Sequence, residues 1–288
     1  MHTYKINKLP KNTVEIQLII PKEDIKKEYD AVFIKLQNDL EVEGFRKGKA
    51  PRSIAEKILT KETVFKELLS PLLSRLYEEI VKKENLKPII TPRVELVKAK
   101  ENEDWEIKLT LAEKPLVDLK NYKEEIKKVK SGLTKEDIWV PGKEKSKENH
   151  DQEKKQKILN EVLGSVLKNT SCELSDIIID EELNQRLTRL VDDVRKIGLT
   201  TDAYLKSKGL TLDQLKNQYR KEIEETYKLE FILSDIADKE AIKVEKADLD
   251  KILTGITDEK ERKVAEQNSY YYASILRKQK TIDFLVNI

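Results

Sequence analysis

One cysteine, two histidines, eight glycines and eight prolines are all that 288 residues contain of these types. With Cys172 alone, an intramolecular disulfide is excluded, and a reducing compartment fits. Few glycines and prolines beside abundant lysine, glutamate and leucine favour long helices over a strand-rich fold. His2 lies in the first residues and His150 in a polar stretch, neither with ligand spacing around it, so no metal and no cofactor are expected. There is no phosphate-cradling glycine loop, no nucleophile elbow and no cysteine–histidine pair placed for covalent chemistry. No apolar run approaches the roughly 18 residues that cross a bilayer, and the opening MHTYKINKLPKN lacks an apolar signal core. The expectation is a soluble, cytosolic protein with no membrane partner.

Charge is what the chain has in excess. Charged residues make up 38% of it, against about 25% in typical globular domains. Yet 56 basic residues face 54 acidic ones, so any phosphate binding must be local. Carboxylates alternate with lysines, as in EIEETYK and DEKERK, which is the pattern of solvated helix faces and not of an acid/base dyad. Cys172, close to Leu174, reads as a small buried hydrophobe.

The periodicity changes along the chain. In TVEIQLII, Val14, Ile16, Leu18 and Ile20 alternate with polar residues as in a half-buried strand, and YKI can pair with it through LPKN. Pro21 opens a helix at its first position, carrying Ile25, Tyr29, Val32, Phe33, Leu36 and Leu40 on one stripe. A short helix with Ile54 and Ile58 follows, then one from about Lys61 to Asn85 that Pro71 should kink or split. Arg93–Val97 and Trp105–Leu111 form a hairpin around ENED. Residues 1–118 thus read as an α+β domain, helices inserted into one antiparallel sheet. Residues 119–157 hold KEEIKKVK, the interruptions Gly132, Pro141 and Gly142 and then GKEKSKENHDQEKKQK, almost without apolar residues, and read as a solvated linker or arm. Residues 158–288 read as an all-α domain of long helices. Gly198 is placed to end one of them, Thr211 with Gln214 forms a capping box, and the last two helices cover about Lys246–Leu253 and Glu259–Val286.

One segment stands apart from this solvated background. In GFRKGKAP, Gly44 and Gly48 let the backbone turn sharply and approach a partner. Arg46, Lys47 and Lys49, with Arg52 just beyond, place four cations close together, and Pro51 fixes the exit toward the next helix. Phe45 projecting among them would anchor in a pocket or stack on a base. The competing reading is a charged connection between helices with Phe45 folded into the core.

GFRKGKAP resembles the ribosome-binding signature of the trigger factor family, bacterial chaperones that meet nascent chains at the tunnel exit. The order strand, helix, signature loop, helices, strand pair over residues 1–120 is similar to that family's N-terminal domain. The segments ILNEVLGSVLKNTSCEL, DIIIDEELNQRL, YLKSKGLTLDQLKNQYR and TIDFLV resemble its helical C-terminal domain. The resemblance implies that Phe45, Arg46 and Lys47 touch a large-subunit exit-site protein and neighbouring ribosomal RNA. Gly44, Gly48, Lys49 and Pro51 complete the ribosome-binding loop. Ala50 stands where the family often carries a larger aliphatic residue. The family normally inserts an FK506-binding-type prolyl isomerase domain between arm and helices. Here Tyr122–Lys157 is short and polar, with Trp139 its one aromatic after Tyr122, whereas independent domains take about 50 residues or more. That departure leaves the isomerase activity without a domain to carry it.

The resemblance therefore implies a non-catalytic, ATP-independent chaperone in the cytoplasm, partly ribosome-bound, whose C-terminal helices shelter unfolded nascent polypeptides. Tyr219, Phe231 and the run Tyr270, Tyr271, Tyr272 are candidate client surfaces, with ordinary core as the alternative for each. A compact prolyl isomerase and an RNA-binding assembly factor using the same basic loop remain the rival functions. A homodimer of the free chain stays open.

Overall fold

The two alternating segments at the start pair as their period requires, β1 (Thr3–Leu9) antiparallel to β2 (Thr13–Ile20), in a computed structural model that describes residues 2–136, 147–255 and 258–288. Lys11 and Asn12 between them both take positive φ, 59° and 51°, as a tight hairpin turn demands. Three helices follow, α1 (Lys22–Asp39), α2 (Arg52–Ile58) and α3 (Lys61–Lys83), and then the hairpin β3 (Arg93–Lys98) and β4 (Trp105–Ala112). The sheet order is β1-β2-β4-β3, so the helices are inserted between β2 and β3 and the later hairpin closes back on β2.

The alternation decides which face is covered. Val14, Ile16, Leu18 and Ile20 of β2 and Trp105, Ile107, Leu109 and Leu111 of β4 are buried together under Ile25, Leu68, Leu72, Leu76 and Ile80. Each such aliphatic side chain contributes about 1.5–3 kcal/mol by leaving water. A second cluster of Phe33, Ala55, Leu59 and Val64 fixes α2 against α1 and α3. In α2 it is Ala55 that is buried, while Ile58 stays exposed.

One proline expectation is corrected and one half of another. Pro21 is the N-cap of α1, extended at φ −61° and ψ 144°, rather than its first helical residue. Pro71 neither ends nor divides α3, which runs unbroken from Lys61 to Lys83. Pro71 and Glu67, four residues earlier, are both exposed. The carbonyl that loses its amide partner can therefore be hydrated, and the buried stripe passes by on the other side.

These elements make one compact unit, Met1–Lys114; Pro115–Ile288 make another. The second opens with β5 (Val117–Asp118), then α4 (Tyr122–Glu136) and α5 (Lys147–Asn169). It continues with β6 (Ser171–Cys172), α6 (Asp176–Lys196), α7 (Thr201–Ser207) and α8 (Leu212–Lys239). The chain closes with α9 (Lys246–Gly255), α10 (Glu259–Gln267) and α11 (Ser269–Asn287). Leu119, Tyr122 and Ile126 are buried with Val162, Ile223, Ile232, Ile236 and Leu285.

The solvated arm expected over 119–157 is thus corrected in its first half. Its two apolar residues four apart, Tyr122 and Ile126, are enough to seat α4 on the helical core. Trp139 lies outside the described residues. The two-residue pairing of β5 with β6 was not anticipated. It places Cys172 in the core, where burial pushes its thiol up to about 11. The Thr211–Gln214 capping box forms in both directions. Gly198, at φ 75°, donates to the Arg195 carbonyl and Leu199 to that of Val194, the closing pattern expected after α6. The single helix expected over Glu259–Val286 is broken at Asn268, which caps α10 and α11 alike.

Candidate functional site

The loop between α1 and α2 is short and tied down on both sides. Leu40 caps α1 and accepts from the Gly48 amide at 3.0 Å, which folds the segment back on the helix end. Two smaller turns sit inside, the Phe45 amide donating to Val42 O at 3.0 Å and that of Lys49 to Arg46 O at 2.9 Å. At the exit Gln37 Nε2 donates to Ala50 O at 2.7 Å, and Pro51 caps α2 by accepting from Ile54 and Ala55.

Both glycines take left-handed conformations, Gly44 at φ 82° and Gly48 at φ 74°. They differ in surroundings. A Cβ on Gly44 would meet nothing, whereas one on Gly48 would stand 2.5 Å from the backbone oxygen of Asn38. Gly48 is therefore needed for conformation and for close approach to α1, and Gly44 for conformation alone. Ala50 is only 4% exposed and packs at the base of the loop, so its small side chain belongs to the interior.

The tip presents a mixed apolar and cationic surface. Phe45 is 41% exposed and joins none of the buried clusters, so it is not folded into the core. Arg46, Lys47 and Lys49 are all exposed. Lys47 reaches Glu41 only at 3.8 Å with both side chains in water, a contact worth little. Arg52 behaves otherwise. It bonds Asp30 and Glu56, each at 2.8 Å, and lies 4.8 Å over the Phe33 ring. The Glu56 bond, with that of Asp30, holds its guanidinium above the usual value. Of the four cations, then, Arg52 braces the loop's foot and the other three face outward. The anchors Gln37, Asn38 and Leu40 escaped the sequence reading, because only folding brings the end of α1 under Gly48.

On the helical unit, Tyr219 and Phe231 pack against the core, while Tyr270 is 88% exposed and Tyr271 also faces solvent. Ile197, Leu199, Leu212 and Val264 are exposed as well. Among the described residues no group of His, Cys, Asp and Glu could hold a metal ion, and no helix is long and apolar enough to cross a membrane.

Two family models match the chain in succession. That for "Bacterial trigger factor protein (TF)" covers residues 2–139 and that for its C-terminus covers 142–287. Curated proteins named trigger factor are similar to it. That of Acetivibrio thermocellus is 29% identical over 135 residues, 46% of this chain and 32% of the relative. That of Lactococcus lactis is 29% identical over 163 residues, 56% and 35% of the two. One from Listeria monocytogenes is 32% identical over 128 residues, 44% and 30%. The matches span only about a third of the length of these relatives. A solved structure described as "Promiscuous Substrate Recognition in Folding and Assembly Activities of the Trigger Factor Chaperone" aligns with 98% of this chain and 99% of its own, at TM-score 0.65 and 14% identity. That likeness carries the fold.

Proposed function

From the premise that the chain belongs to the bacterial trigger factor family, a family of chaperones, we propose that it docks on the large ribosomal subunit through Gly44–Pro51 and shields unfolded nascent chains without ATP. The observation that carries this reading is the tip itself. A half-exposed phenylalanine and three outward cations ride on a loop locked to α1 by Gly48 and Gln37. Phe45 can enter a pocket of an exit-site protein, while Arg46, Lys47 and Lys49 meet ribosomal RNA phosphates. A preformed loop loses little freedom on docking.

Docking and client shelter are divided between the two units. The exposed aromatics Tyr270 and Tyr271 and the bare aliphatics Ile197, Leu199 and Leu212 give the helical unit a weak, sequence-tolerant surface for unfolded segments. Tethering at the exit raises the effective concentration of such segments. The proposal includes no prolyl isomerase activity, because the two matched family models adjoin at residues 139 and 142.

The test is co-sedimentation with ribosomes of the wild type and of the Phe45→Ala, Arg46→Ala, Lys47→Ala triple variant. The wild type should pellet with 70S particles and release as salt rises, and the triple variant should stay in the supernatant with an unchanged circular dichroism spectrum. Undiminished pelleting of the variant would refute the assignment. A protease-coupled proline isomerisation assay should give only the uncatalysed rate, and suppression of aggregation of an unfolded client without RNA should persist.

A further inference from the structure

The helix layer of the N-terminal unit stops short of its sheet. Val94 and Leu96 of β3 lie opposite Leu109 and Ile107 of β4, so all four point to the face the helices cover. Leu109 and Ile107 are buried, but Val94 and Leu96 remain 44% and 48% exposed because α3 does not reach over the last strand. Between α3 and β3 this leaves an open groove of about 840 Å³, with Leu69, Leu73 and Tyr77 on one wall and Ile89, Pro92 and Val94 on the other.

Two further features concern hydrogen bonds. The Tyr77 hydroxyl is buried and has no hydrogen-bond partner among the described residues, so it lacks the bond it would make in water unless an acceptor reaches it. In addition, β3 is the last strand of the sheet and pairs only with β4 among the described residues. Its outer N–H and C=O groups are available to another strand. The register shift between Leu96 and Lys98 spoils pairing beyond that point, leaving Arg93–Leu96 as the regular stretch.

We propose that this groove binds an extended, apolar polypeptide segment as a fifth strand on β3. Its alternate aliphatic side chains would cover Val94 and Leu96, and one of its carbonyls would accept from Tyr77. The occupant follows from the chemistry. The two bare aliphatics stand two residues apart on one face, which is the spacing of a strand and not of a helix. A free edge and an orphan donor together ask for backbone groups, which a hydrocarbon ligand lacks. Arg93 and Glu95 point to the opposite face, where Glu95 is held by Lys108 at 2.5 Å, so the charged side chains at the groove are Lys66 and Glu78 of α3 and the β3 wall is aliphatic.

The inference does not rest on ribosome docking, and the triple variant at Phe45, Arg46 and Lys47 should keep full peptide affinity. The experiment uses the whole chain and a capped, dye-labelled hexapeptide with valine at alternate positions and serine or lysine between, read by fluorescence anisotropy. The wild type should bind. Val94→Lys with Leu96→Lys, both at exposed positions, should weaken binding at least about ten-fold by placing charge on the aliphatic shelf. Tyr77→Phe should weaken it about five-fold through the lost hydrogen bond. The same peptide N-methylated on the amides that would pair with β3 should not bind, and this arm needs no variant to fold. Equal binding of the methylated peptide, or an unchanged affinity in the double lysine variant, would overturn the proposal.

Discussion

Gly44 and Gly48 flank the same three-residue tip and share a left-handed backbone, so substituting each by alanine separates conformation from contact. For Gly44→Ala the cost is the left-handed penalty alone, ~1–2 kcal/mol, since the new methyl meets only open space. At Gly48 the same penalty applies, but the methyl would sit 2.5 Å from Asn38 O. The loop must then move off α1, at the expense of the Gly48 N–H bond to Leu40 O, worth ~1 kcal/mol. The expected total is ~3 kcal/mol. Trp105 is buried in this unit, and its emission in a Trp139→Phe background reports the unit's urea unfolding. The two alanine variants should differ in midpoint by about 0.5–1 M, and Gly48→Ala should also lose ribosome pelleting out of proportion to its stability. Coincident unfolding curves would show that the loop is not locked to α1 at Gly48.

Three other outcomes follow from the same reasoning. Pro71→Ala restores an amide to an exposed turn of an unbroken helix and should stabilise the N-terminal unit by ~1–3 kcal/mol in urea melts; a loss of stability would mean α3 needs the proline. Glu240→Ala removes the acceptor of the buried Tyr122 hydroxyl, bonded at 2.8 Å, and the partner of Lys123. It should cost the helical unit ~1–3 kcal/mol, whereas a neutral effect by calorimetry would deny that bond its role. Because burial raises the Cys172 thiol from 9.0 to about 11, the folded unit keeps its proton longer than the unfolded chain. That contribution is whole below pH 9 and declines as pH rises toward 11. Cys172→Ala should flatten the fall in stability between pH 8.5 and 10.5, and parallel slopes would contradict the shift.

What was legible in the sequence is what local chemistry determines. The alternation of Val14–Ile20 and Trp105–Leu111 announced two half-buried strands, because a one-residue slip would expose every apolar side chain, but not that the two lie side by side. Thr211 with Gln214, and Gly198, announced helix ends that are closed by bonds within a few residues. Failures came where distant packing decides. Pro71 looked like a break because the rule for proline ignores which face it occupies. Tyr122 and Ile126 were lost among lysines, although with Val129 they make the i, i+4, i+7 stripe that α4 buries or half-buries. The pairing of β5 with β6 involves two residues on each side and leaves no periodic trace.

The loop shows how counting charges differs from locating them. In the sequence Arg52 belongs with Arg46, Lys47 and Lys49 as one basic cluster. In the fold it stays half exposed but is bonded to Asp30 and Glu56 and lies over the Phe33 ring. Its charge is neutralised before any phosphate arrives, and its fork is what fixes the start of α2. Glu41 and Glu43 also lie close before the tip, so the surplus of positive charge is small and confined to Arg46–Lys49. In the proposed docking, three phosphate contacts would leave binding sensitive to salt. On that proposal, Phe45 would supply the part of the contact that salt does not screen. The proposed docking would then be firm at low salt, graded by ionic strength and dependent on one aromatic ring, and both the salt series and Phe45→Ala alone should weaken pelleting.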